Sequence, residues 1–261
     1  MPHTRSGGPT TRIAATTPLQ HAGSLLRAGR VRDAASALAA LAATTPSGHT
    51  DQAGLLAARA EVLLGRGDLT TAATLVAPLL ALVAAPGPSG QAGAAVAHHA
   101  LGELAAAAGD VDSSVEHHAR AGVLAPGADP EQLPWRANQA LALARARRSE
   151  DAARQARAHL RVGRAVGSAY AVAHGLRALA TVSPTTEGVG LLEEARAALA
   201  PIDAARLAAQ VDTDLAGLLV LSGSGSSLQV LRLLRDAETY AAQEGLWPLR
   251  QRARRLLDLV G

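Results

Sequence analysis

Residues 98–126 read HHALGELAAAAGDVDSSVEHHARAGVLAP, two amphipathic runs separated by Gly109 and Asp110. A glycine between two such runs supplies the left-handed backbone conformation that ends a helix, which a side chain would oppose. This stretch therefore predicts a helix, a tight turn and a second helix.

Similar breaks divide the rest of the chain at regular intervals. They are centred on Gly29, Gly67, Gly109, Arg148, Ser183 and Gly223, which gives spacings of 38, 42, 39, 35 and 40 residues. Helix, tight turn, helix and looser loop, repeated about six times, is the pattern of an α-solenoid. We predict an all-α, right-handed α-solenoid of about six helical hairpins, or about thirteen helices. An unpaired helix at 246–260 caps the C-terminal end with its arginine-rich face.

The composition supports this fold. Ala supplies 62 and Leu 40 of the 261 residues, against 17 Val, 2 Ile, 2 Tyr, 2 Trp and no Phe. Helix-favouring residues are abundant and strand-favouring ones are scarce, so an all-β or doubly wound α/β fold is excluded. With so few large side chains, the core must consist of closely approaching, Ala-rich helix faces.

Two Pro residues suggest helix starts. Asp129-Pro130 and Ser183-Pro184 each place a capping oxygen directly before a proline, a residue that suits the first helical position. We therefore expect helices to begin at Pro130 and Pro184.

Charge and cysteine usage limit the possible functions. The 25 basic residues are all Arg, and they face 22 acidic residues, a net charge of +3 that gives no reason to expect nucleic-acid binding by this chain alone. The absence of Cys excludes disulfides and thiolate zinc sites and fits a cytoplasmic location. Residues 1–17 are expected to be a disordered lead-in, and 18–261 the repeat domain. The apolar run 72–85 is too short to cross a membrane, so no membrane association is expected.

The repeats resemble tetratricopeptide (TPR) repeats. The third unit has the Leu101-Gly102 pair, the turn at Gly109 and the closing Pro126 of that pattern. Setting the turn glycines equivalent aligns further small residues, namely Ala22, Ala60 and Gly102 in the first helices and Ala34, Ala72 and Ser114 in the second. The usual aromatic positions hold Leu38, Val76 and His118 instead, and the period exceeds the usual 34 residues.

Longer, Ala-rich repeats of this kind resemble the helical region of large LuxR-type, MalT-like bacterial transcriptional regulators. The segments that carry this resemblance are 174–179 (HGLRAL), 191–195 (LLEEA), 231–237 (LRLLRDA) and 252–257 (RARRLL). In that family an ATPase domain precedes this region and a helix-turn-helix domain follows it, and we expect neither domain within these 261 residues. The resemblance implies a sensor or interaction module.

The concave surface of the solenoid is the predicted binding groove. In TPR-like stacks the first helix of each hairpin lines this surface, and equivalent positions select polar residues there. The alternative to a binding groove is that the concave face is merely exposed to solvent and therefore partly polar. The predicted groove residues are Gln20, Glu61, His99, Glu103, Asn138, Tyr170, His174 and Asp214.

The histidines near the Gly109 turn form the densest cluster of side chains that could bind a metal ion or take part in catalysis. A hairpin that turns near Gly109 places residues 98–99 beside residues 117–118. His99 and Glu103 share a helix face, so a metal site would use His99, Glu103 and His118. The alternative is that His98 and His118 fill repeat-interface positions in place of aromatic residues, while the other histidines are solvated. We expect no metal and no cofactor.

These patterns predict a non-catalytic helical-repeat module that binds a protein or peptide partner in a bacterial regulatory context. The first alternative is a small-molecule-sensing domain of a LuxR-type regulator. The second is an enzyme on a repeat scaffold that uses the His98–His118 cluster.

Overall fold

The computed structural model describes residues 16–45, 51–85, 90–223 and 227–260; the expected lead-in, apart from Thr16 and Thr17, lies outside these residues. In the described part the chain forms fourteen α-helices and no strand. The helices are α1 (Pro18–Ala28), α2 (Val31–Thr44), α3 (Gln52–Arg66), α4 (Leu69–Ala73), α5 (Val76–Ala84), α6 (Gly90–Ala108), α7 (Val111–Leu124), α8 (Trp135–Arg145), α9 (Ser149–Val166), α10 (Ala169–Ala180), α11 (Thr185–Leu199), α12 (Ala205–Ser222), α13 (Ser227–Glu244) and α14 (Trp247–Val260).

These helices pair along the chain into six hairpins followed by one last helix. The pairs are α1–α2, α3 with α4–α5, α6–α7, α8–α9, α10–α11 and α12–α13, and α14 remains single. Most helices pack mainly on their neighbours in sequence, whereas α3 packs mainly on α6, the first helix of the next hairpin. This arrangement confirms the predicted α-solenoid of six hairpins and a C-terminal helix.

The glycines in the turns inside the hairpins adopt the predicted left-handed backbone conformation. Gly29, Gly67, Gly109 and Gly223 all have a positive φ, at 87°, 76°, 85° and 63°. In the fourth hairpin Arg147 adopts the same region with a φ of 59°. A left-handed residue ends the first helix because it turns the chain while satisfying the last helical carbonyls.

The second hairpin has one helix more than predicted, because its second helix is interrupted. Pro78 has no N–H, and its ring opposes the carbonyl of Thr74, four residues earlier. The N–H groups of Thr74 and Leu75 donate to the carbonyls three residues before them, at 3.1 and 3.0 Å. These tighter turns separate α4 from α5.

Both predicted proline starts are wrong. The Asp129 carboxylate accepts a hydrogen bond of 2.9 Å from the Glu131 N–H in a turn, and the helix begins at Trp135. Pro134 restricts the residue before it to extended conformations, so a helix from Pro130 could not continue. Pro184 is itself extended, with a ψ of 148°, and α11 begins one residue later.

The core is thin, as the composition predicts. Its fully buried hydrophobic residues are mainly Ala and Leu, arranged in four clusters along the solenoid. The aligned small residues of the first three repeats are all buried, and Leu38 and His118 fill two of the aromatic positions. Close approach of Ala-rich helix faces thus joins most of the repeats.

The last helices pack back onto the first hairpin. Ala22 and Leu26 of α1 share a buried cluster with Ala241 of α13 and with Leu246, and α14 also packs against α3. The Tyr240 hydroxyl donates a hydrogen bond of 2.6 Å to the Gly29 carbonyl. The solenoid therefore curves far enough for its two ends to meet.

No helix in the described ranges is both long and apolar enough to cross a membrane. The apolar run 72–85 contains the end of α4 and all of α5. Leu79 is completely buried there and Leu80 is exposed, so this segment is a partly buried element of the second hairpin.

Candidate functional site

The first helices of four hairpins carry polar side chains that interact with one another through ion pairs and electrostatic effects. The helices are α3, α6, α10 and α12, as the repeat pattern predicts for a concave surface. We call this set the inner surface, and it consists of Glu61, His99, Glu103, Tyr170, His174, Arg177, Arg206 and Asp214.

Arg206 of α12 links the C-terminal part of the solenoid to Glu61 of α3, near its N-terminal end. Its guanidinium forms an ion pair with Glu61, which lies 145 positions earlier in the sequence. Burial raises the pKa of the Tyr170 hydroxyl, and Arg206 and Glu61 are also among the groups that act on it. Helices α3, α10 and α12 therefore contribute to one polar group.

A second charged group lies on α10 and α12. Arg177 Nε lies 2.7 Å from Asp214 Oδ2, and both side chains are largely buried. Arg252 of α14 forms an ion pair with the other oxygen of Asp214. Both carboxylate oxygens of Asp214 are therefore occupied by guanidinium groups.

Glu103 has a different environment, because its neighbours are imidazoles. His118 Nε2 lies 3.2 Å from Glu103 Oε1, but this contact does not have hydrogen-bond geometry. Burial raises the pKa of Glu103, but the neighbouring His118, His99 and His174 outweigh it and lower the pKa to about 2. The side chain remains 42% exposed, so an ionised carboxylate is accessible at this place.

The four histidines form two pairs, and in each pair a residue of α6 lies beside a residue of α7, as the hairpin predicts. The ring centroids of His98 and His117 are 5.2 Å apart, with 2.9 Å between their Nδ1 atoms. The centroids of His99 and His118 are also 5.2 Å apart. Because adjacent helical residues diverge by about 100°, the two pairs point to different places.

Gly102 explains why His118 fits into a repeat interface. A Cβ atom at Gly102 would lie 2.7 Å from His118 Cε1, so only glycine leaves room for this ring. His118 is completely buried, which agrees with the expectation that it replaces an aromatic residue. Within the described ranges, no three His, Asp or Glu side chains are arranged to hold a metal ion, including the candidates His99, Glu103 and His118.

Aromatic rings continue the surface along α10. His174 lies edge-on to Tyr170, with centroids 6.5 Å apart, and edge-on to His159 of α9, at 5.8 Å. Burial lowers the pKa of His159 to about 4 and holds the pKa of His174 well below its ordinary value. Both rings are therefore neutral at neutral pH.

We expect the free energy of unfolding to decrease as the pH falls below neutrality. His159 has a pKa of about 4 when folded and its ordinary value of 6.5 when unfolded. Between these values only the unfolded chain binds the proton, so stability that is present above pH 6.5 is lost towards pH 4. One such histidine contributes a loss of about 1 kcal/mol between about pH 7 and about pH 5.5. Urea unfolding followed by circular dichroism at the two pH values measures it.

The variant His159→Gln cannot titrate and should lose less stability over this range. His21→Gln, at an exposed position of α1, is the matched control and should behave like the wild type. An identical decrease in wild type and His159→Gln would contradict the prediction.

Two predicted groove residues do not join the inner surface through a hydrogen bond or ion pair in the described part of the chain. Gln20 is exposed, and its side-chain oxygen accepts from the Thr17 N–H at 2.9 Å, so it caps the start of α1. Asn138 is buried in α8. The other six predicted residues all belong to the inner surface.

Arg177 and Arg206 belong to the inner surface but were not among the predicted groove residues. Arg177 follows Tyr170 and His174 at the spacing i, i+4, i+7, which places all three on one face of α10, so this spacing would have identified it. For Arg206 no comparable signal exists, because its partner Glu61 is distant in sequence.

Two open grooves lie elsewhere, around Arg196. One, of about 460 Å³, runs between α11 and α12, and the other, of about 310 Å³, borders α13. Arg196 Nε lies 2.5 Å from Asp212 Oδ1, and much of the larger groove is Ala and Leu. We favour the inner surface as the functional site because ionisable side chains of several helices act on one another there.

Comparisons with known proteins show similarity in structure only. No protein-family model and no curated protein sequence matches the chain. The quorum sensor NprR in complex with its cognate peptide NprX superposes with a TM-score of 0.57 and 11% identity, over 97% of this chain and 79% of that chain. The apo form of NprR from B. thuringiensis gives a TM-score of 0.54 and 12% identity, over 93% and 74%. A TPR domain of yeast Sti1 in complex with pHSP90 gives 0.34 and 14%, over 91% and 97%. At these identities the likeness to NprR concerns the fold alone.

Proposed function

We propose that this chain is a non-catalytic helical-repeat module that binds a peptide, or an extended segment of a protein, on its inner surface. The biological context that we propose is bacterial regulation. The observation that carries this proposal is that polar side chains from α3, α6, α10 and α12 act on one another in one place.

The chemistry of the inner surface suits a peptide. Peptides present amides, charged termini and side chains, and they are recognised by aromatic rings beside a few well-placed charges. Tyr170 and His174 supply rings, and Glu103 supplies an accessible carboxylate. Closure of the solenoid fixes these groups relative to one another, which reduces the entropy lost on binding.

The comparison with NprR supports the same proposal. NprR is a quorum sensor that has been solved with its peptide NprX, and its fold matches nearly the whole length of this chain. A fold of this kind can therefore accommodate a peptide, although at 11% identity no individual residue can be transferred.

We expect the wild-type protein, when immobilised, to retain a defined subset of a synthetic library of short blocked peptides. The variant Glu103→Arg should retain these peptides at least about tenfold less well, because it introduces a bulky cation at the centre of the surface. Affinity selection followed by mass spectrometry measures the retained fraction of each peptide.

Glu116→Arg is the matched control, since Glu116 is an exposed carboxylate of α7 and does not belong to the inner surface. It should retain the same peptides as the wild type. The proposal is wrong if the wild type retains no peptide, or if Glu103→Arg retains the same set equally well.

A small-molecule ligand is the second candidate. The observation in its favour is that Arg206 and Glu61 meet across the closure, beside Tyr170, which makes a compact polar group. A metabolite present at one hundred times its dissociation constant should stabilise the protein by about 2.7 kcal/mol in a thermal-shift screen.

A further inference from the structure

Glu103 differs from the other acids of the inner surface in its partner. Glu61 is paired with Arg206, and Asp214 is paired with Arg177 and Arg252. Glu103 lies beside imidazoles, and the described residues place no arginine within ion-pair distance of its carboxylate. Burial raises the pKa of Glu103, but the neighbouring imidazoles outweigh burial and lower this pKa to about 2, so the carboxylate is ionised.

The surrounding imidazoles do not balance this charge at neutral pH. Burial lowers the pKa of His99 to about 4, and the pKa of His174 is also well below its ordinary value, so both rings are uncharged. An accessible, ionised carboxylate that has no guanidinium partner in the protein can form charge-assisted hydrogen bonds with a cation that a ligand supplies.

The same rings carry nitrogen atoms that have no hydrogen-bond partner. These are His99 Nδ1, His174 Nδ1 and both nitrogens of His118, and all of them are buried. His118 is completely buried as a residue, and its Nε2 lies 3.2 Å from Glu103 Oε1. The protein therefore surrounds Glu103 with imidazole rings and gives its carboxylate no hydrogen bond in the described part of the chain.

We propose that the accessible carboxylate of Glu103, beside the rings of His99 and His174, forms a subsite for the guanidinium group of an arginine side chain in the bound peptide. This inference deepens the proposed function and rests on it for the identity of the ligand as a peptide.

A guanidinium group fits this environment better than a metal ion or an ammonium group. In the described part of the chain, no three His, Asp or Glu side chains have the arrangement that a metal ion requires. A guanidinium group offers five N–H donors in a plane and can donate to both oxygens of one carboxylate. It also stacks on aromatic faces and is more weakly hydrated than an ammonium group.

The test uses argininamide as the probe, with the full-length protein labelled with ¹⁵N in its histidine rings. We expect millimolar argininamide to shift the ring signals of His99, His118 and His174 in a saturable way. Citrullinamide, which has nearly the same shape and no charge, should leave them unchanged. This comparison needs no variant and therefore does not depend on whether a variant folds.

Two variants locate the effect. Glu103→Gln keeps the shape and removes the charge, so the dissociation constant for argininamide should rise at least about tenfold. Glu116→Gln, the matched control on the exposed face of α7, should bind like the wild type. The inference is overturned if argininamide causes no shift, if citrullinamide acts equally, or if Glu103→Gln binds as tightly as the wild type. A lysinamide effect as strong as that of argininamide would overturn the preference for guanidinium.

This experiment is independent of the peptide selection. If argininamide binds at Glu103 while the wild type retains no peptide, the subsite stands and the peptide-binding function fails. If peptides are retained without any preference for arginine and argininamide has no effect, the function stands and the subsite fails.

Discussion

Gly29→Ala should destabilise the protein by about 3 kcal/mol. Gly29 lies in the first turn with a φ of 87°, which an alanine adopts only with strain. A Cβ atom there would also lie 2.6 Å from the backbone nitrogen of Arg206 and 2.6 Å from the Tyr240 hydroxyl. These atoms belong to α12 and α13, so the added methyl group forces the two ends of the superhelix apart. Urea unfolding of the variant and the wild type measures the difference.

Gly109→Ala separates the two causes. Gly109 occupies the equivalent turn of the third hairpin with a φ of 85°, and a Cβ atom there would have no neighbour within 4 Å. Only the backbone strain remains, so a loss of about 1 kcal/mol is expected. Equal losses for the two variants would show that closure onto α12 and α13 contributes little to stability.

Gly122→Ala should destabilise the protein by about 2 kcal/mol. Gly122 is a buried residue of α7 that faces the ring of Trp135, at the start of α8. A Cβ atom at this position would lie 2.5 Å from the ring atom Cη2 and 2.6 Å from Cζ2 and Cζ3. The ring must therefore move, and with it the contact between the third and fourth repeats. Urea unfolding measures the loss, and the emission of Trp135 should change in the folded state.

Gly190→Ala is the matched control with the opposite expected sign. Gly190 lies within α11, and a Cβ atom there would meet nothing within 4 Å. Alanine favours a helix over glycine by about 1 kcal/mol, so this variant should be more stable than the wild type. Equal stability of Gly122→Ala and Gly190→Ala would contradict the prediction, because it would show that the close packing of Trp135 on α7 leaves room for a methyl group.

Local features of this protein were predictable because their causes are local. The hairpin turns at Gly29 and Gly109 follow from the few residues around them, because a positive φ favours glycine. The pairing of His99 with His118 follows from the helical period and the position of one turn. Two helix starts were predicted wrongly because a proline after the capping residue is only one of several local signals. At Asp129 the second proline, Pro134, was decisive.

The candidate site was predictable to the extent that it follows the repeat. Glu61 and Glu103 were identified because equivalent positions of first helices face the same side of a solenoid. Gln20 has an equivalent position as well, but its side chain caps α1 because it is the third residue of that helix. Repeat position thus predicts which face a residue occupies, and the local backbone decides whether its side chain is available.

The sequence by itself determined the helices, the hairpins and the faces that they bury, since hydrogen bonds between near neighbours and a period of about 3.6 residues fix all three. Only the tertiary structure decided that α12–α14 return to α1–α3, and that Arg206 therefore meets Glu61. The small rotation between successive repeats is set by how closely Ala-rich faces approach, and it accumulates over six hairpins. Whether the ends meet therefore depends on the sum of these rotations, and no single residue encodes that sum.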